Sequence, residues 1–202
     1  MRSFIVLTLA FLAAPAGLDA QLCYQARPKP DCSAFVTTDF GAYMLLGADA
    51  WGDAPFREVA DWGVMVNTGP RDAVGGSVVA SLDRAGLLVG PEVRYRRWLS
   101  ASAALDFAVG TPLVSSTGDI APGSIQGLVR WSPSDWFAVA ARPEALRYTS
   151  AVSCGPAGCT TATRLHPRLS LGLEIGRVPG AVFTGLGAVA TYLVALAVIN
   201  SD

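Results

Sequence analysis

Two groups of residues in this chain have types and spacings that can do chemistry. The first is a set of ionisable side chains recurring at alternate positions of short segments: Arg94, Arg96, Arg130, Arg142 and Arg168 against Asp39, Glu92, Asp106, Glu144 and Glu174, five of each sign. Enclosed on one face, such charges must pair with one another, because an unpartnered buried charge costs several kcal/mol. On an open face they are ordinary solvated residues. The second group is four cysteines whose spacing pairs them locally, Cys23 with Cys32 and Cys154 with Cys159. An even cysteine count in an exported chain implies disulfides and an oxidising compartment. Gly155-Pro156-Ala157-Gly158 is a turn-forming sequence able to bring the second pair within bonding range, and closing so short a loop contributes only about 2 kcal/mol. A zinc site needs more ligands, and the single histidine, His166, is near neither pair in sequence, so no metal and no cofactor is expected.

The elements that must position these residues are short segments of period-2 alternation separated by Gly, Pro, Asn, Asp and Ser clusters, the pattern of consecutive β-hairpins. Eight can be counted: Ala34 to Gly47, Glu58 to Thr68, Gly75 to Asp83, Leu87 to Arg97, Ser100 to Gly110, Gly123 to Trp131, Trp136 to Tyr148 and Arg164 to Gly176. In the last, Leu169, Leu171, Leu173 and Ile175 oppose Arg168, Ser170, Gly172 and Glu174. Val89, Val93 and Tyr95 likewise oppose Glu92, Arg94 and Arg96, and Ile125, Val129 and Trp131 oppose Gln126, Leu128 and Arg130. A soluble barrel turns the apolar face inward and a membrane barrel turns it to lipid, and the period alone does not choose between them.

Two features favour lipid. The balanced charges suit a narrow interior filled by paired side chains. Aromatic residues also collect near strand ends (Trp51, Trp62, Trp98, Trp131, Trp136, Tyr43, Tyr95 and Tyr148), as girdles at two membrane interfaces would. Connections alternate in length: short around residues 69–72, 98–99 and 132–135, long around Asp49 to Arg57, Thr111 to Pro122 and Ser150 to Thr163. The one around residues 84–86 is short in an outward slot. With short turns periplasmic and long loops outward, both termini fall in the periplasm.

Composition agrees with this class. The chain is 51% hydrophobic and only 15% charged, with 21 Gly, 13 Pro and a formal net charge of -1, which leaves no electrostatic footprint for nucleic acid. Residues 1–20 read as a signal peptide, with Arg2 ahead of an apolar run of about eleven residues, short of the ~20 that a spanning helix needs. Residues 21–33 then form an N-terminal disulfide-bearing segment, 34–177 the barrel domain and 178–202 a C-terminal hydrophobic segment. Within the last, Ala181 to Ile199 is long enough to span a membrane as a helix; a further wall strand over Ala181 to Leu193 is the alternative.

The stretch from Gly90 to Leu99, followed by Ser102 to Gly110, resembles the hairpins of small bacterial outer-membrane β-barrel families. The resemblance implies an all-β, antiparallel, up-and-down transmembrane barrel of about eight strands without an open pore, in families serving membrane integrity, adhesion or surface recognition. It transfers no functional residue. In the lipid A deacylase barrels a His and a Ser stand two residues apart on a lipid-facing strand, whereas here Arg168 stands two residues after His166, on the polar face. The expectation is therefore a non-enzymatic protein of the outer membrane. Its partners are outer-membrane lipid and whatever its outward loops meet. The rival is a periplasmic lipocalin-like barrel carrying an apolar ligand, tethered to the inner membrane by its C-terminal segment.

Overall fold

The computed structural model describes residues 22–23, 26–46, 56–83, 86–116, 120–134, 136–155 and 158–176. Residues 1–20, expected as a signal peptide, and residues 178–202 lie outside the described residues, as does most of the first long connection. Among the described residues there is no helix, and the strands are β1 (Leu22–Cys23), β2 (Ala34–Leu46), β3 (Phe56–Asn67), β4 (Asp72–Asp83), β5 (Gly86–Trp98), β6 (Ala104–Gly110), β7 (Val114–Ser115), β8 (Ile125–Ser132), β9 (Phe137–Gly155) and β10 (Gly158–Ile175). Eight of them form the wall. Each pairs antiparallel with its neighbours in chain order, and β2 bonds to both β3 and β10, closing the sheet on itself. A closed wall leaves no edge to template aggregation.

The printed register gives the stagger of that closure. Arg97 on β5 pairs with Leu105, which pairs with Trp131, then Val139, Leu173, Ala42, Glu58, Leu82 and finally Leu87, again on β5 and ten residues from the start. A stagger of ten residues over eight strands corresponds to a strand tilt of roughly 40°, within the range of natural barrels.

Local chemistry explains the turns. At the end where the connections are tight, the turn end, Thr68 N donates to Asp72 O at 2.9 Å and Leu99 N to Ala103 O at 2.8 Å, with Ser100 Oγ accepting from Ala103 N at 3.0 Å. At the opposite, loop end, Gly86 opens β5 with φ of +133°, a conformation only glycine adopts without strain, and its N–H reaches Asp83 Oδ1 at 3.2 Å.

Several expected boundaries change: β4 begins at Asp72 and not Gly75, β6 at Ala104 and not Ser100, and three further changes bear on the site. β3 begins at Phe56 and takes in Arg57, which the sequence places in a loop. The connection over residues 111–124 is built into the wall: β7 pairs with β5, Ile120 bridges to Tyr148, and Ala121 N donates to Arg147 O at 2.7 Å. Most of the stretch from Ser150 to Thr163 is strand, because β9 and β10 stay paired as far as Gly155 and Gly158. No Gly or Pro breaks the chain before Gly155-Pro156, so the pairing set within the wall carries on outward to that turn. Cys154 and Cys159 hold directly opposed backbone positions in this ribbon; their side chains lie outside the described residues.

The Cys23–Cys32 disulfide is present, with its Cα atoms 6.0 Å apart. The segment it closes sits against the turn end of the barrel, where β1 pairs parallel with the start of β2. Asn67 clamps it: Nδ2 donates to Arg27 O at 2.6 Å and to Cys32 O at 2.9 Å, while Oδ1 accepts from Trp98 Nε1 at 3.0 Å.

Candidate functional site: charged lumen, apolar wall

Alternation sends one set of side chains into the lumen, and there the charges of the sequence meet. Arg142 lies at the centre, with Nη1 3.1 Å from Glu92 and Nη2 3.3 Å from Asp61 and 3.6 Å from Glu174; its Nε donates to Tyr43 OH at 3.2 Å. Tyr43 OH in turn donates to Glu174. Arg94 reaches Asp61 at 3.0 Å and Asp39 at 3.5 Å as ion pairs without aligned hydrogen bonds. Arg130 joins Asp39, Asp106 (3.2 Å) and Glu174 (3.1 Å), and Arg96 Nη2 donates to Asp106 Oδ2 at 2.9 Å. Nearer the loop end Arg57 pairs with Glu144 and, at 3.4 Å, with Asp83.

Nine of the ten charges expected in the lumen are therefore buried: Asp39, Glu92, Arg94, Arg96, Asp106, Arg130, Arg142, Glu144 and Glu174. Arg168 differs. It stands at the mouth, part-exposed, 4.0 Å from Asp83 and over the Tyr148 ring at 5.4 Å. The sequence reading missed Arg57, Asp61 and Asp83, which bring the inward set among the described residues to six arginines and seven carboxylates. Parity carries the signal that finds them, since Arg57, Val59, Asp61, Met65 and Asn67 share the inward face of β3.

Three aromatics expected at the interfaces lie on the inner face: Tyr148 lines the loop-end mouth, and Tyr43 and Trp98 are deeper. Tyr43 is buried mid-barrel, its ring against Gly172, where an added Cβ would lie 2.5 Å from the ring. Trp98 is buried at the turn end with Phe35, Met65, Ala73 and Ala104, and Arg96 lies over the Phe35 and Trp98 rings at 5.2 and 5.1 Å. The turn end is thus sealed by an apolar layer backed by the N-terminal segment. At the loop end the cleft lined by Asp83, Leu88, Ser115, Ile120, Tyr148 and Arg168 measures only about 20 Å³, room for a single water molecule. His166, whose chemistry was in question, is exposed beside this mouth, its ring edge-on to Tyr148 at 5.4 Å.

The outer face is the converse. Met44, Trp62, Val93, Phe107, Val109, Ile125, Val129, Trp131, Leu171 and Leu173 all stand exposed on it. Among the described wall residues its only charges are Glu58, Asp72, Arg97 and Arg147, each near a rim. Between Leu87 and Arg97 the outward residues of β5 are all apolar. Ten residues at ~3.3 Å each and a tilt of roughly 40° give a band about 25 Å tall.

The chain matches no protein-family model and no curated protein.

Proposed function

We propose that this protein is an outer-membrane β-barrel without an open pore, embedded by its outer wall. Its role on this reading is structural or one of surface interaction, and no catalysis is assigned to it. The observation that carries the reading is the inversion of polarity: paired charges fill the interior and uncharged apolar side chains cover the exterior. A band about 25 Å tall matches the apolar girdle of such barrels. In water the same exterior would be a continuous apolar patch far larger than soluble monomers carry.

A lipocalin-like carrier needs the opposite arrangement, an apolar pocket within and polar residues without. The ion pairs among the described lumen residues do not suit an apolar pocket, and they also weigh against a conducting pore, because eight strands enclose little more than side chains. With the turn end facing the periplasm, the β9–β10 ribbon and the connection over residues 111–124 form the surface offered outward, where a partner would be met.

Fractionation of cells expressing the full chain, with gel migration compared before and after heating, tests the reading. Recovery in the outer membrane with a heat-dependent shift is the expected result. Release as a soluble periplasmic species, or retention in the inner membrane, would replace it with the tethered carrier.

A further inference from the structure

We infer that the turn-end rim of the outer wall carries a binding site for the phosphate of a membrane glycerophospholipid, with Arg97 as the cation and Asp72 and Tyr95 holding it in place. This rests on the membrane-embedded reading above and adds a specific lipid contact to it.

Arg97 is the last outward side chain of β5, directly below the apolar band, and its side chain is 48% exposed. Its register partner on β4 is Asp72. Asp72 Oδ1 accepts from Arg97 Nη1 at 2.9 Å and from Tyr95 OH at 2.6 Å, so one carboxylate oxygen ties the guanidinium to the tyrosine two residues above it. A guanidinium has five donors in a planar fork that suits a phosphate, and Asp72 engages one of its terminal nitrogens. Arg71 lies in the adjoining turn, so the rim cluster of Arg71, Asp72 and Arg97 carries one net positive charge even with the carboxylate counted.

The surroundings suit a lipid better than a free anion. Immediately above, Tyr95 stacks on Phe107 with ring centroids 6.4 Å apart, and Leu99, Trp131 and Trp136 are exposed at the same end of the barrel. A phosphate held by Arg97 would leave its acyl chains lying along this apolar surface. Among the described residues of the opposite rim, Glu58 has the wrong sign, and Arg147 Nη1 donates to the Pro122 carbonyl at 3.2 Å instead of to an aspartate shared with a tyrosine.

The test is native mass spectrometry of the full protein extracted in mild detergent and titrated with phosphatidylglycerol, with inorganic phosphate and glycerol phosphate as competitors. The expected result is one tightly retained phospholipid, with retention lowered about tenfold in Arg97→Gln, the scale of a lost charge-assisted hydrogen bond. Asp72→Asn should keep or raise retention, because the amide oxygen still accepts from Arg97 and Tyr95 while a negative charge beside the phosphate is removed, and a loss as large as that of Arg97→Gln would count against Arg97 as the cation. Arg97→Lys should keep part of the retention, showing that the site tolerates substitution without unfolding. Equal retention by wild type and Arg97→Gln overturns the site. Full displacement by inorganic phosphate overturns the lipid assignment in favour of a free anion. Heating the same samples separates the two levels: a normal migration shift with unchanged retention refutes the lipid site alone, whereas no shift refutes the embedded barrel on which it rests.

Discussion

A guanidinium enclosed by a barrel wall must find its counter-charges within that wall, and Arg142 finds three carboxylates, on β3, β5 and β10, while its guanidinium lies 5.6 Å from the Tyr43 ring. Replacing it with Ala takes the ion-pair partner from Glu92 and leaves Asp61 and Glu174 to Arg94 and Arg130. We predict a loss of about 3–5 kcal/mol, the range for breaking a buried pair from one side. Equilibrium urea unfolding in detergent measures it, and a loss under about 1 kcal/mol would mean that water takes over the guanidinium's role. By contrast the exposed pair of Arg97 and Asp72 at the rim contributes about 1 kcal/mol or less to folding. At this scale most of the interior was legible from parity. Arg57 lies just before the segment that alternation marks, and Asp61 shares its face with Val59 and Met65, so residue type alone does not mark that face as inward. Residue type points Tyr43 and Trp98 to the interfaces, although parity sets Tyr43 on the face of Asp39 and Trp98 on the face of Arg96.

Single side chains are placed by elements, and two elements here do more than span. The N-terminal segment is held by the Cys23–Cys32 disulfide, by the two hydrogen bonds from Asn67, and by Ala26 packed on the layer of Phe35 and Trp98. A disulfide closing a loop of nine residues contributes about 2.5 kcal/mol in the chain-entropy model. Changing Cys23 and Cys32 together to Ser should therefore speed hydrogen exchange over residues 22–33 while the wall amides of β3 to β6 exchange as before. Equal acceleration in the wall would show that the segment supports the barrel itself and does not merely stopper it. The other element is the β9–β10 ribbon. Its strand character was hidden in the sequence because small polar residues and a Gly-Pro turn read as loop, while the pairing that holds it depends on the register already set within the wall.

For the whole molecule the decisive quantity is the sign of polarity between inside and outside. A charge placed outward at mid-height should be costly in a bilayer and harmless in water. Val129 and Leu173 are exposed near the middle of the band, and either one changed to Arg should destabilise the folded, membrane-inserted barrel by about 2–4 kcal/mol, whereas Leu99→Arg at the rim should cost about 0–1 kcal/mol. Urea unfolding from lipid vesicles gives the comparison. Costs independent of depth, or improved solubility without detergent in the mid-wall variants, would count against an embedded wall.

Alternation along Leu169 to Glu174 or Glu92 to Arg97 was enough to say that these residues lie on strands with one charged and one apolar face, and turn chemistry such as Gly69-Pro70 was enough to say that consecutive strands form hairpins. Those are local properties, carried by neighbours in the chain. Which face closes inward is not local, because a period of two is unchanged when inside and outside are exchanged. That choice, and the meeting of Arg130 with Asp39 or of Arg57 with Glu144 from strands far apart in sequence, depends on closure of the wall with its ten-residue stagger, which sets how wide the interior is and which side chains come level within it.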